Sequence, residues 1–260
     1  MGVYVTGDIH GDPTRLANHN FYEQKEFSKN KDENVVIICG DFGLIWSRDE
    51  ESANEGYWLK WLEDKPFTTV FVDGNHENHE RLATYPVKEW NGGKVHEIRP
   101  HILHLMRGEV YNIEGKKFFA MGGAASHDIS DGIIDYDEDG EWRKKAKTLD
   151  KQGKYMYRIN GLSWWSEELP SEEEMNNGIK NLEKHNWTVD YIITHSPYTS
   201  LLKQMDGGYG LYEADVLTNY LQKIKHDINY KQWFFGHMHI CENFHWERAI
   251  CIYEQIVRIL

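Results

Sequence analysis

Short apolar runs, each ending in Gly, Asp, Asn or His, recur along this chain and narrow its fold more than any other feature. They are Val3 to Thr6 before Gly-Asp, Val35 to Cys39 before Gly-Asp, Thr69 to Val72 before Asp-Gly-Asn-His, Tyr191 to Thr194 before His, and Gln232 to Phe235 before Gly-His. Runs of four or five β-branched and aromatic residues read as buried strands. Helical patterns lie between them. Asp12-Pro13 predicts a helix start, an N-cap followed by a proline whose missing N–H does no harm. Ser171 and Glu174 predict a capping box, after which Met175, Ile179 and Leu182 share one helical face. Leu217, Tyr220, Leu221 and Ile224 repeat that spacing. Strands alternating with helices predict an α/β fold. Ligands of open α/β sheets bind just outside the carboxyl ends of strands. The polar residues after each run are therefore expected to meet at one site.

Composition bounds the rest. The 260 residues are read as one domain, 1–260, and 40% hydrophobic content is enough for a sizeable core. No stretch approaches the roughly 18 apolar residues of a membrane span, so no membrane partner is expected. The opening Met-Gly-Val-Tyr-Val-Thr-Gly-Asp has no basic segment followed by an apolar core, so no secretory leader is expected. Cys39, Cys241 and Cys251 form no CxxC pair, which fits a reducing cytoplasm, and they read as small core residues. A net charge of −13 disfavours loose binding to long nucleic acid or an anionic membrane. A phosphate substrate stays open, because bound metal ions invert a local field.

Two regions break the alternation. "HILHL" (101 to 105) and "KKFFAMGG" (116 to 123) read as hairpin strands of a second sheet, which the tail "AICIYEQIVRIL" is expected to close. Residues 127 to 160 are acidic and then basic, without a clear apolar face, and read as an inserted loop or lid.

The strand-end residues make a set. Asp8 and His10 lie in "GDIHG", Asp41 in "GDFG", Asn75 and His76 in "GNHE", His195 in "THSP", and His237 and His239 in "GHMH". Residues i and i+2 of an extended segment point the same way, so Asp8/His10 and His237/His239 each aim two side chains at one spot. Carboxylates, an amide and imidazoles together suit a divalent first-row metal such as Mn, Fe, Zn or Ni.

In this order, these motifs resemble the calcineurin-like metallophosphoesterase family over residues 7 to 239. The resemblance implies a four-layer αββα sandwich of two mixed β-sheets flanked by helices. It also implies two divalent metal ions, with Mn²⁺ the first choice. Asp8, His10 and His239 would hold one, Asn75, His195 and His237 the other, and Asp41 would bridge them. It implies hydrolysis of a phosphomonoester or phosphodiester by a hydroxide shared between the cations, with His76 as general acid. A phosphorylated small molecule or nucleotide is the expected substrate, and no oligomeric state is implied. The alternatives are a nuclease or cyclic-nucleotide-type phosphodiesterase on the same scaffold, a non-catalytic binding scaffold, and a mononuclear structural metal site.

One motif departs from the pattern. Relatives closest to protein Ser/Thr phosphatases carry "GDxxDRG", whose second Asp pairs with the catalytic His. Here "GDFGLIW" places Leu44 at that position, and the next arginine is Arg48. That leaves Asp73 or Glu77 as candidates to orient His76. Arg15, Arg48 and Arg81 are candidate phosphate-binding residues, or plain surface residues. His79 could join the site if a helix begins there. Ser126, His127 and Asp128 could edge the pocket or make a turn. "SWW" (163 to 165) is an aromatic wall or core packing, and "GGYG" (207 to 210) a glycine loop that could gate the site.

Overall fold

A computed structural model of the chain describes every residue except Met1, Gly208 and Leu211. Two mixed sheets form its centre. The first has seven strands in the order Ile256–Arg258, Gly2–Thr6, Asn34–Ile38, Thr68–Phe71, Ile102–Leu105, Gly93–Arg99, Val87–Trp90. The strands from Gly2–Thr6 to Ile102–Leu105 run parallel, and the outer ones pair antiparallel. The second has six, in the order Glu242–Phe244, Ala249–Cys251, Gln232–Phe235, Tyr191–Thr194, Lys116–Met121, Val110–Ile113. Its inner four are parallel as well. Gly2–Thr6, Asn34–Ile38 and Thr68–Phe71 are buried at every position, which is why their sequences run continuously apolar rather than alternating.

The two sheets pack face to face. Val5, Ile37, Val70 and Leu103 of the first meet Phe118, Ala120, Ile193 and Phe234 of the second in one apolar layer. Helix Ala53–Glu63 covers the outer face of the first sheet with Leu59 and Leu62. Helices Glu172–Lys184, Thr199–Asp206 and Val216–Asp227 cover the second with Leu182, Leu201, Leu217 and Leu221. The result is an αββα sandwich. The capping box of Ser171 and Glu174 and the apolar face of Leu217, Tyr220, Leu221 and Ile224 form as their spacing predicts.

Four expectations need correction. Asp12 does cap, accepting from the Thr14 N–H at 3.0 Å, but the helix it starts is a single 3-10 turn, Pro13–Leu16. The Asn20 side chain donates to the Thr14 carbonyl at 3.0 Å and draws the chain away from a second turn. Ile102–Leu105 and Lys116–Met121 lie in different sheets. Their apolar pattern reports burial and does not choose a pairing partner. The tail divides for the same reason: Ala249–Cys251 joins the second sheet, and Ile256–Arg258 pairs with Gly2–Thr6 in the first. Between them, Tyr253 passes over Gly7, whose N–H donates to the Tyr253 carbonyl at 3.1 Å. Finally, the 127 to 160 segment is a folded strand–helix–strand unit. Gly132–Asp135 and Tyr157–Asn160 pair in parallel, helix Glu141–Lys151 connects them, and Ile134, Ala146 and Ile159 form a small core. The expected lack of an apolar face falls with it: Trp142, Ala146 and Leu149, at i, i+4 and i+7 of the helix, form a narrow stripe that packs on this core. Cys39 and Cys251 are buried, whereas Cys241 is exposed.

One carboxylate shapes the loop before the first helix. Glu55 accepts the N–H groups of Trp46 at 2.6 Å, Ser47 at 2.9 Å and Ser52 at 2.7 Å, and pairs with Arg81 at 3.1 Å. Burial pushes its carboxyl up, but the Ser47 and Ser52 N–H groups and the Arg81 guanidinium outweigh it and hold the pKa at about 2. Arg81→Ala would leave this buried carboxylate without its charge partner, and is expected to destabilise the fold by about 3–5 kcal/mol in urea unfolding. Glu55 is also expected to show in pH dependence. A depressed carboxylate contributes its stability above the unfolded pKa of roughly 4.3 and loses it as pH falls through the folded value. The stability difference between wild type and Glu55→Gln should therefore shrink between about pH 5 and pH 2.

Candidate active site

The carboxyl ends of the parallel strands from both sheets open on the same edge of the sandwich. Asp8 follows Gly2–Thr6, Asp41 follows Asn34–Ile38, and Asn75 and His76 follow Thr68–Phe71. His195 follows Tyr191–Thr194, and His237 and His239 follow Gln232–Phe235. One potential ligand atom from each of Asp8, His10, Asp41 and His239 lies within 4.8 Å of the others. His10 Nε2 is 2.9 Å from His239 Nε2 and 3.7 Å from Asp41 Oδ2. His239 Nε2 is 3.3 Å from Asp8 Oδ2. On the other side of Asp41, Oδ1 lies 3.3 Å from His195 Nε2 and accepts the His76 N–H at 2.8 Å. The His195 and His237 ring centres are 4.9 Å apart.

The backbone here is strained. His10, Asp41, His237 and His239 adopt left-handed conformations, with φ of 45°, 43°, 65° and 51°. Such a conformation costs a non-glycine residue about 1–2 kcal/mol. It persists only where surrounding contacts over-determine it, as at functional sites. The Asp8 carboxylate supplies one such contact, accepting the His237 N–H at 3.0 Å and 3.2 Å. Space is also short: a Cβ on Gly74 would stand 2.1 Å from Asp41 Oδ1 and 2.7 Å from His195 Nε2, and one on Gly236 2.0 Å from Asp8 Oδ1.

The electrostatics suit cations. Asp8 and Asp41 are 0% and 1% exposed, yet among the described residues their carboxylates meet imidazoles and backbone N–H groups and pair with no lysine or arginine side chain. Two buried carboxylates without fixed positive partners are costly. Their pull is visible on the histidines. Burial would lower the His195 pKa, but Asp41 and Asp8 push it up to about 10. Hydrogen bonding to Asp8 raises His239. His237 is driven well down by burial and by His195 and His127, which outweigh the opposing pull of Asp41. Buried Asn75 Oδ1 makes no hydrogen bond. An acceptor oxygen left open near two buried carboxylates is what a hard or borderline cation needs.

Residues outside the strand-end motifs complete the surroundings. The Asn75 amide donates to Ser126 Oγ at 3.4 Å, and Ser126 donates to buried Glu168 at 2.6 Å, which turns the Asn75 oxygen away from that contact. His127 Nε2 is 2.7 Å from His237 Nε2, and Tyr212 packs edge-on against His127. His76 is stacked by Trp46 at 5.6 Å and meets the His10 ring edge-on at 4.9 Å. Arg158, from the inserted unit, brings Nη2 to 3.3 Å from His76 Nε2. Burial lowers the His76 pKa and Arg158 adds to this, while Asp41 opposes it. Glu168, Trp46 and Arg158 carry no motif signal; they reach the site only through tertiary packing.

Several expected roles fall elsewhere. Asp73 and Glu77 do not orient His76. Asp73 is buried against Arg107 at 3.0 Å and His104 at 3.0 Å, and Glu77 accepts the Phe42 N–H at 2.7 Å. His79 does begin a helix, but it is buried towards Asp73, and burial holds its pKa at about 4. Arg81 is buried, with its guanidinium bonded to Glu55 and the Ser47 carbonyl. Arg15 reaches the site's edge, yet its guanidinium is bonded to the carbonyls of Asp8 and Tyr253. Arg48 stacks on Tyr136 of the inserted unit at 3.6 Å. Trp165 is core packing behind Trp46. Gly208 of the "GGYG" loop lies outside the described residues; in the same loop, the Gly210 N–H donates to Asp206 at 2.7 Å.

A sandwich of two mixed sheets with a carboxylate–imidazole cluster at its strand ends defines a metal-dependent hydrolase of the phosphoesterase class. The chain belongs to the calcineurin-like phosphoesterase family, whose model matches residues 1–241. The family is dinuclear and metal-dependent, and its members hydrolyse phosphoester bonds. The chain is 24% identical over 151 residues to a lariat debranching enzyme of Danio rerio, covering 52% of this chain and 24% of that one. It is 23% identical over 145 residues to lariat debranching enzyme A of Xenopus laevis, covering 51% and 25%. The matched region thus spans about a quarter of those relatives' length. Phosphopantetheinyl hydrolase from Mycobacterium tuberculosis aligns over 100% of this chain and 95% of its own, with 14% identity and a TM-score of 0.48. No helix among the described residues is long and apolar enough to cross a membrane.

Gly74→Ala tests the crowding at the centre. The added methyl must displace Asp41 or His195, so metal uptake, measured by elemental analysis after Mn²⁺ loading, is expected to fall below half of wild type. Far-UV circular dichroism should stay unchanged, because the strand before it needs no glycine.

Proposed function

We propose that this chain is a dinuclear metal-dependent phosphoesterase acting on a small phosphorylated molecule or nucleotide. The observation that carries the reading is Asp41, whose Oδ2 faces His10 and whose Oδ1 faces His195. One buried carboxylate presenting an oxygen to each of two imidazole sets suits a bridging ligand. On this reading Asp8, His10 and His239 hold one ion, and Asn75, His195 and His237 the other. Mn²⁺ fits the mixed carboxylate, amide and imidazole donors, and Fe, Zn or Ni are the alternatives. When bound, the pair supplies an activated water and positive charge for the phosphoryl oxygens.

The chain's own residues do the rest. Asn75 contributes an oxygen without a further negative charge, held in orientation by Ser126 and Glu168. His76 is fixed between Trp46 and His10 and anchored by its N–H to Asp41, and serves as general acid for the leaving oxygen. A cavity of about 740 Å³ opens beside Asp8 and His10, lined also by Asp12, Arg15, Glu23 and Tyr253. Its size suits a small leaving group, and its carboxylates disfavour one that carries further phosphates. The phosphodiesterase reading draws on the likeness to two lariat debranching enzymes. The relative rates on p-nitrophenyl phosphate and its bis ester, with Mn²⁺ added, separate the two.

Asp41→Asn is expected to abolish hydrolysis and lower metal content from about two ions per chain. A fully active, metal-replete Asp41→Asn protein would remove the bridging role. His76→Ala should keep both ions and slow turnover by about 10²–10⁴-fold, more on an alkyl phosphate than on p-nitrophenyl phosphate. An undiminished alkyl phosphate rate would remove the general-acid role.

A further inference from the structure

We propose that Arg158, delivered by the inserted strand–helix–strand unit, binds the phosphoryl oxygens of the substrate. The proposal deepens the phosphoesterase reading and rests on it. Among the described residues, the other arginines near the site are engaged. Arg15 is bonded to backbone carbonyls, Arg81 to Glu55, Arg107 to Asp73, and Arg48 stacks on Tyr136. Arg158 is held differently. Asp128 accepts from its Nε at 2.8 Å and 3.0 Å, and the Ser163 carbonyl accepts from Nη1 at 2.9 Å. Nη2 donates one N–H to His76 Nε2 at 3.3 Å and has a second N–H to give, and the side chain is only 11% exposed.

That arrangement is a pre-organised donor. A guanidinium keeps its charge at any working pH, and because it is planar and rigid, tethers on Nε and Nη1 also fix where Nη2 points. Two anchors fix its direction in advance, so little rotamer entropy is left to lose when an oxyanion arrives. Nη2 and His76 Nε2 are close enough to contact one phosphoryl group together. The strand Tyr157–Asn160 that carries Arg158 is fixed by its pairing with Gly132–Asp135, and Tyr136 just beyond is packed on Arg48 of the main body. The insertion is thereby tied to the site at two points, and its function is to place this cation. The ligand class is a tetrahedral phosphoryl oxyanion.

The test is calorimetric titration of inorganic phosphate into Mn²⁺-loaded wild type, Arg158→Ala, Arg158→Lys and Asp128→Asn. Elemental analysis on the same samples checks that metal content is unchanged. Arg158→Ala is expected to weaken phosphate binding by about 10- to 100-fold, the loss of a hydrogen bond from a charged donor. Arg158→Lys should fall between wild type and Ala, because it keeps the charge without the planar group that the two tethers orient. Asp128→Asn should weaken binding by a few-fold through the loosened tether. Should Arg158→Ala fail to fold, the Lys and Asn variants carry the same comparison. Phosphate affinity within twofold of wild type in the folded variants overturns the proposal, as does a metal-loaded wild type that does not bind phosphate. A wild type that binds phosphate through Arg158 but hydrolyses neither p-nitrophenyl ester would fail the phosphoesterase reading and leave the Arg158 assignment standing.

Discussion

Two carboxylates, Asp8 and Asp41, are buried at the meeting edge of two sheets and, among the described residues, pair with no lysine or arginine side chain. Most of the local structure can be read as the means of keeping them there. Their compensation comes from imidazoles on both sheets and from backbone N–H groups at 2.8 Å to 3.2 Å. Those donors line up only because the loops holding His10, Asp41, His237 and His239 turn through left-handed conformations. The strain is tolerated because the apolar layer between the sheets fixes where each strand ends. A displacement of one sheet against the other would separate Asp41 from His195 and leave both charges uncompensated.

A second tier of buried polar groups supports this centre without touching a reacting group. Asp73 and Arg107 pin the start of the Gly74–His76 loop. Glu55 and Arg81 fold the loop that carries Trp46 onto His76. Glu168 holds Ser126, which holds the Asn75 amide. Each arrangement commits a charged or hydrogen-bonding side chain from a distant part of the chain to positioning. This explains why Arg15 and Arg81, which lie close after site motifs in sequence, are consumed by carbonyls and carboxylates.

The inserted unit shows how a segment with little core of its own takes part in a site. Only Ile134, Ala146 and Ile159 are buried together within it. Its attachment depends on Arg48 stacking on Tyr136 and on Arg158, held by Asp128, reaching His76. His76, which the second motif leaves without a carboxylate because Leu44 stands there, meets an aromatic ring and a guanidinium instead.

Local sequence determined the parts that depend on neighbours a few residues away. Buried parallel strands need unbroken apolar runs, and a helix N-terminus needs its cap. The strands before Gly7, Gly40, Asp73, His195 and Gly236, the Ser171 cap and the cluster of Asp8, His10, Asp41 and His239 were legible from such signals, although His10 and His239 reach that cluster through left-handed turns and not from extended strand. Tertiary structure alone decided which sheet each strand joined, since an apolar pattern reports burial and is silent about partners. It also decided which charges were spent on support and which faced the site. Arg158 lies 82 residues from His76 in the chain. No local spacing encodes that contact; it exists because a folded insertion brings one strand back over the edge where the two sheets meet.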